Sequence, residues 1–423
     1  MHHPSATQTA AVLAIGDELI LGQTLDTNTQ WIAARLTELG FIVREHVTLA
    51  DDQATIAAAI TRLTRDASLL IVTGGLGPTA DDLTRHALAD AMGQTLITDD
   101  AALAAIEAWY TGRGRRMPAT NRVQALRPAG AAMIDNPHGT APGLAATIGD
   151  CRISCLPGPP REMKPMFERV LTPLAAGIGT IRCRVLSTFG LGESAVAEQL
   201  ASLMDRTRNP LVGTTASQGV VSVRLRATGL DEAALDQTEQ LVRSALGDFV
   251  FARDVSLAEH IVTRLRKRSE TLATVESCTG GLVGSALTDI AGASATYLGG
   301  LVTYTNELKT ALAGVEPAII AEHGAVSCAC AIAMAEGTRS RLGATHAVAV
   351  TGIAGPEGGS EAKPVGTVWF ALASENLPTD VRRFRFPGDR TSVRTWAAAT
   401  ALAIVRLRLD DVATPMLFEQ TQA

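Results

Sequence analysis

Ala10-Ala11-Val12-Leu13-Ala14-Ile15 is a continuous apolar run, and Gly16-Asp17-Glu18 closes it. An uninterrupted apolar strand with acids at its carboxyl end is the signature of a parallel strand buried on both faces. Asp26-Thr27-Asn28 then supplies capping residues, Trp31, Ile32, Leu36 and Leu39 follow at helical spacing, and Gly40 stops the helix. The same alternation continues outward. Residues 41–47 and 68–73 are further strands, 53–65 and 83–92 further helices, and 151–156 a strand followed by a short helix over 161–170. Strands and helices alternating at this spacing predict right-handed βαβ units and a doubly wound sheet, whose ligands bind beyond the carboxyl ends of the strands.

Composition agrees with α/β layers. Of 423 residues, 46% are hydrophobic and only 4% aromatic, with 38 glycines, a profile unlike an aromatic-rich β-sandwich. The length predicts two to four domains, at roughly 100–200 residues each. A linker is expected over 173–180, where small residues and glycine accumulate. The expected layout is a doubly wound α/β domain over 1–175, a small α+β module over 176–253 and a second α/β domain over 254–423. In the middle module, Gly190-Leu191-Gly192-Glu193 departs from the Gly-x-x-Gly clamp of RNA-binding KH domains, so a structural or dimerising role is expected there.

A formal net charge of −6 argues against a general nucleic-acid binder. No apolar run approaches the roughly 18 residues of a membrane span, and the first residues lack the pattern of a secretory leader, which predicts a cytoplasmic protein. The six cysteines form no disulfide framework, and the pairs Cys151/Cys155 and Cys328/Cys330, which lack zinc-type spacing, are expected as buried thiols.

Three glycine-rich turns in the first domain fall at strand ends: 16–18, 74–82 and 157–160. Gly74, Gly75 and Gly77 let backbone N–H groups approach an anion, Thr79 is a candidate helix cap, and Asp81 and Asp82 are candidates for a divalent metal or a ribose hydroxyl. The plainer alternative is that Asp81 and Asp82 only favour a first helical turn. In the third domain, Val275-Glu276-Ser277-Cys278-Thr279-Gly280-Gly281 ends one strand and opens a helix, setting a hydroxyl beside a thiol. With no G-x-S-x-G and no histidine in a triad context, a serine would need a neutral lysine as its base, and Lys309 is downstream. On the residues alone, the reading of Ser277 and Thr279 as mere helix caps, with Lys309 a surface charge, outweighs the catalytic one.

The motifs, taken together, resemble those of the bacterial competence/damage-inducible protein A family over nearly the whole chain. The first domain carries G-D-E-L (16–19), L-G-Q-x-x-D-T-N (21–28), T-G-G-L-G-P-T-x-D-D-L-T (73–84), N-P-x-G-T-A-P-G (136–143) and L-P-G-x-P-x-E-M-K-P-M-F (156–167). The third carries E-S-C-T-G-G (276–281), Y-x-N-x-x-K (304–309), H-G-A-V-S (323–327) and V-T-G-I-A-G-P (350–356).

The resemblance implies a molybdopterin-binding-like first domain with a metal-dependent ADP-ribose pyrophosphatase activity, its metal held at Asp17, Asp81 and Asp82 and its substrate also contacted by Asn28. It implies a third domain that hydrolyses nicotinamide mononucleotide to nicotinate mononucleotide and ammonia without a cofactor. Ser277 is then the nucleophile, Lys309 the base and Tyr304 an assistant, with Thr279, Gly280, Gly281, Asn306, Thr351 and Gly352 around the substrate. A homodimer is expected by the same resemblance, and the runner-up is a non-catalytic accessory of DNA competence. The family's glycine run after Pro356 is interrupted here by Glu357.

Overall fold

In a computed structural model that describes residues 8–171, 181–229 and 232–420, the opening apolar run is strand β1 (Thr9–Ile15). Its alternate residues enter two different cores: Ala11, Leu13 and Ile15 on one face, Ala10 and Val12 on the other. This two-sided burial is why the run does not alternate apolar with polar. β1 pairs in parallel with β2 (Ile42–Leu49) and β3 (Leu69–Thr73). A short ribbon, β4 (Leu96–Thr98) with β5 (Leu126–Pro128), lies apart from the main sheet. β6 (Ala132–Ile134) and β7 (Gly143–Ile148) add antiparallel strands beside β8 (Cys151–Leu156), giving the order β2-β1-β3-β8-β7-β6.

The helices of this unit are α1 (Asp17–Ile20), α2 (Thr27–Glu38), α3 (Gln53–Asp66), α4 (Thr84–Met92), α5 (Asp100–Thr111) and α6 (Pro160–Leu171). Asp26 caps α2 by accepting the Thr29 N–H at 2.9 Å, and Asp52 caps α3 through the Thr55 N–H at 2.8 Å. Thr79, expected as a cap, is not one: α4 begins five residues later, at Thr84. The Asp82 carboxylate accepts from the N–H groups of Gly77 (2.7 Å) and Thr79 (2.8 Å) and from the Thr79 hydroxyl, which draws 77–82 into a loop before the helix can start. The reading of Asp81 and Asp82 as first-turn acids fails for the same reason. The expected linker at 173–180 lies outside the described residues.

Most of the chain after residue 182 forms a second compact unit. Its first part has an antiparallel sheet of β9 (Ile181–Phe189), β10 (Leu211–Ser217), β11 (Val220–Thr228) and β12 (Val250–Arg253), in the order β10-β11-β9-β12, with α7 (Glu193–Gln199) and α8 (Glu232–Leu246) packed against it. The remainder comprises α9 (Leu257–Arg268), β13 (Leu272–Glu276), α10 (Leu282–Thr288), β14 (Tyr297–Val302), α11 (Asn306–Ala313), α12 (Pro317–His323), α13 (Cys328–Leu342), β15 (His346–Gly352), β16 (Thr367–Ser374), β17 (Leu377–Arg385), α14 (Arg390–Leu409) and β18 (Glu419–Gln420).

These strands order as β14-β13-β15-β16-β17-β18; the first three are parallel and the rest antiparallel. α9 and α14 cover one face of the sheet and α13 the other. Phe189, Phe251 and Ala252 of the preceding sheet share a buried cluster with Phe386 and Val393, so the packing runs continuously from the middle module into this domain. Among the described residues no helix is long and apolar enough to cross a membrane.

Candidate active site

Ser277 follows the last residue of β13, and the strand places it at the carboxyl edge of the sheet beside Thr351 and Gly352 of the neighbouring β15. Lys309 belongs to α11, yet only 2% of its surface is exposed. Its ammonium nitrogen reaches back to Ser277 Oγ at 3.0 Å and to the Thr303 carbonyl at 2.9 Å. Burial pushes the Lys309 pKa below the ordinary lysine value, since a charged amine loses hydration there. In its neutral form this amine would donate to the Thr303 carbonyl and keep a lone pair for the serine hydroxyl. Cys278, next in sequence, is buried and its thiol is pushed up to about 12 by that burial, so it is not a thiolate near neutral pH.

Neither Ser277 nor Thr279 caps the helix that follows. Glu276, which is 1% exposed, turns its carboxylate under α10 and accepts the N–H groups of Gly281 (2.9 Å), Val283 (3.2 Å) and Gly284 (2.8 Å). The Gly281 N–H, expected to face a substrate, is therefore already satisfied, and the Gly280 N–H donates to the Ser277 carbonyl at 3.1 Å. Gly280 (φ +62°) and Gly281 (φ +99°) occupy the left-handed region, which explains the glycine pair. The Thr279 hydroxyl is buried and has no partner among the described residues.

Tyr304 is not part of the Ser277–Lys309 contact. Just after β14, Thr303 is buried with its carbonyl on Lys309, and the next side chain turns outward; Tyr304 is 56% exposed and its hydroxyl accepts from Arg390 Nη2 at 2.8 Å. Arg390 also donates to the Gly355 carbonyl at 2.9 Å, tying the ends of β14 and β15 to the start of α14. Thr351 donates its hydroxyl to the Ala325 carbonyl at 2.7 Å. Asn306 is exposed in the first turn of α11, and Gly352 answers a packing need, because a Cβ there would lie 2.7 Å from Val368 Cγ2. Glu276, Arg390 and Arg394 are the residues that sequence reasoning missed. The two arginines stand one helical turn apart at the start of a long helix, a pairing visible in the sequence but lacking any motif.

A second arrangement resembles a triad. Ser374 Oγ, His346 and Glu270 are linked in line, at 2.9 Å to Nδ1 and 3.0 Å from Nε2. It lies at the amino end of β15, opposite Ser277, with His346 and Ser374 both buried. Burial holds the His346 pKa below its ordinary value, so the neutral ring donates Nε2–H to Glu270 and accepts from Ser374, a satisfied core histidine.

In the first unit the three glycine turns do converge. A cavity of about 350 Å³ is lined by Gly74, Gly75, Gly77 and Thr79, and by the acids Glu18, Asp51, Asp81, Asp82 and Glu162. Gly74 (φ +101°) has no room for a side chain, since a Cβ would sit 2.2 Å from the Ile15 carbonyl. Asn28 lines an adjoining cavity of about 150 Å³; its amide donates to the Gly158 carbonyl at 2.7 Å, and its oxygen is buried without a partner among the described residues. Asp51 was missed by sequence reasoning, although it lies two residues past the end of β2. Burial, together with the charges of Asp17, Asp81 and Glu18, pushes its pKa up. Asp17 does not line the larger cavity but braces Asp51 through reciprocal backbone hydrogen bonds of 2.9 and 3.1 Å.

Among the described residues no three acidic, histidine or cysteine side chains are gathered into a ready-made metal cage. The cavity's carboxylates are oxygen donors of the kind a hard divalent ion takes when water and phosphate oxygens supply its remaining ligands. Glu18, Asp51 and Asp81 line it together, whereas the Asp82 carboxylate is committed to its own loop.

Compared with known proteins, residues 254–409 match the CinA C-terminal domain, 11–176 a probable molybdopterin binding domain and 183–252 the damage-inducible protein CinA KH domain. A CinA-like protein of Geobacter sulfurreducens is 44% identical over 409 residues, covering 94% of this chain and 98% of the relative. The chain belongs to the CinA family. A putative competence-damage inducible protein of Symbiobacterium thermophilum is 42% identical over 416 residues, covering 94% of this chain and 98% of its own length. Among solved structures, the competence/damage inducible protein CihA of Agrobacterium tumefaciens is 43% identical over 36% of this chain and 93% of its own, with a TM-score of 0.36.

Proposed function

We propose that the C-terminal domain hydrolyses the carboxamide of nicotinamide mononucleotide, giving nicotinate mononucleotide and ammonia. The observation that carries this reading is the 3.0 Å contact between Ser277 Oγ and a buried, pKa-lowered Lys309. A serine is a poor nucleophile until a base takes its proton, and a buried neutral lysine is such a base. Ser277 Oγ attacks the carboxamide carbon as its proton passes to Lys309 Nζ, and the carbonyl π electrons move onto oxygen. Collapse of this tetrahedral intermediate breaks the C–N bond, and Lys309 returns the proton to the departing ammonia. Water, deprotonated by the same lysine, then cleaves the acyl-serine ester. Purified protein incubated with nicotinamide mononucleotide is expected to release ammonia and nicotinate mononucleotide in equal amounts; release of neither would sink the reading.

The acid-lined cavity of the first domain supports a second reaction, hydrolysis of the diphosphate of ADP-ribose with a divalent ion. When bound, such an ion neutralises phosphate charge. Glu18, Asp51 and Asp81 would hold it, and the Gly74–Thr79 loop orients the diphosphate. Conversion of ADP-ribose to AMP should depend on added magnesium or manganese and stop on chelation; turnover that is indifferent to chelator would refute the acid-held ion.

A further inference from the structure

Arg394 is half-buried near the start of α14, and its guanidinium crosses behind the nucleophile turn. Nε donates to the Cys278 carbonyl at 3.1 Å and Nη2 to the Thr279 carbonyl at 3.0 Å. A peptide unit is planar and trans, so holding one carbonyl fixes the direction of the following N–H, which points the opposite way. Fixing the Cys278 carbonyl therefore aims the Thr279 N–H away from Arg394. Fixing the Thr279 carbonyl aims the Gly280 N–H, which meets the Ser277 carbonyl.

Most other donors of the turn are committed. Gly281, Val283 and Gly284 give their N–H groups to Glu276 and Gly280 gives its own to Ser277, while the N–H groups of Cys278, Thr279 and Leu282 have no acceptor among the described residues. A buried anion on one side and a cation on the other hold this turn, and of the donors left over the Thr279 N–H is the one in the peptide whose carbonyl Arg394 Nε holds. Gly280 belongs to the same fit, since a Cβ there would lie 3.4 Å from Arg394 Nη2.

We infer that Arg394 is a positioning residue for amide hydrolysis: it orients and polarises the Cys278–Thr279 peptide so that the Thr279 N–H receives the oxyanion formed when Ser277 attacks. This rests on the amidase reading of the Ser277–Lys309 pair. A donor aimed at charge that develops only in the transition state raises kcat and leaves ground-state binding nearly unchanged. A cation bonded to the carbonyl strengthens the N–H of the same peptide as a donor, because the two share one π system.

The test compares wild-type protein with Arg394→Ala and Arg394→Lys, using nicotinamide mononucleotide as substrate. Arg394→Ala is expected to lower kcat by about 30- to 300-fold with KM changed less than about threefold. Arg394→Lys, able to reach one carbonyl rather than two, should lose about tenfold, and added guanidinium should restore part of the Arg394→Ala rate. The aldehyde analogue of the substrate, which forms a tetrahedral adduct with a serine, should weaken in parallel with kcat, while affinity for nicotinate mononucleotide stays constant. If kcat holds within twofold, or KM rises while kcat does not fall, the inference is overturned. If Arg394→Ala does not fold, Arg394→Lys with an unchanged thermal midpoint decides on the same criteria. A wild-type protein that releases no ammonia refutes the amidase reading itself, whereas active wild type with insensitive Arg394 variants refutes only the role of Arg394.

Discussion

Lys309→Met is expected to reduce ammonia release from nicotinamide mononucleotide by about three orders of magnitude or more, measured by steady-state ammonia assay. Methionine matches the length of lysine but can neither take the Ser277 proton nor return one to the leaving ammonia. The wild-type pH profile should carry the mark of this amine. The active form is unprotonated, so kcat/KM rises with pH through the Lys309 pKa, which burial holds below the ordinary 10.5. Stability moves with the same sign: between the folded and the ordinary value the unfolded chain binds the extra proton, so unfolding becomes harder as pH rises through that window. A variant that keeps the wild-type rate and profile would show that Lys309 is no base.

Ser277→Ala should cost about four orders of magnitude or more in the same assay, whereas Cys278→Ala should stay within about threefold of wild type. The neighbouring side chains differ in environment rather than in reach along the chain. Ser277 Oγ faces the Lys309 amine at 3.0 Å, while the Cys278 thiol lies in the core formed by Val283, Val350 and Val393. Because Ser277 and Lys309 act in one proton transfer, the double variant should be no slower than the worse single one. Full activity in Ser277→Ala with loss in Cys278→Ala would reverse the assignment of nucleophile.

The central parallel strands were legible because they are largely apolar runs closed by a turn, as in 10–15, 69–73 and 272–275. Among the antiparallel strands, β9, β11, β12 and β16 were legible too, whereas β7, β10 and β17 were not. β7 reads Gly-Leu-Ala-Ala-Thr-Ile, too weakly hydrophobic to stand out, and β17 holds Pro378, Asp380 and three arginines because one side of it is less enclosed. β10, Leu-Val-Gly-Thr-Thr-Ala-Ser, takes its place as the edge partner of β11 in a tight hairpin, and its largely polar sequence gives little strand signal of its own.

The site divides in the same way. Ser277 and Lys309 come together through a βα crossover that spacing can suggest and a motif can pin. Glu276 and Arg394 meet the turn from opposite sides, 118 positions apart in sequence, and only packing unites them. Tyr304 shows the limit of a motif: its position in the chain is beside Thr303, but its hydroxyl turns to Arg390.

Helix α14 also faces the middle module. Two residues beyond Arg394, the Trp396 indole lies so close to Gly219 in the β10–β11 hairpin that a Cβ there would sit 2.7 Å from its Cζ3. At the far end of the chain the Leu417 N–H donates to the Gly190 carbonyl at 2.9 Å. Residue 254 is thus a seam in the sequence and not a place to cut: a fragment begun there would uncover Trp396 and Phe386 and leave the tail without its anchor. The small module packs as a wall against the C-terminal half, and its hairpin meets the same helix that carries Arg390 and Arg394.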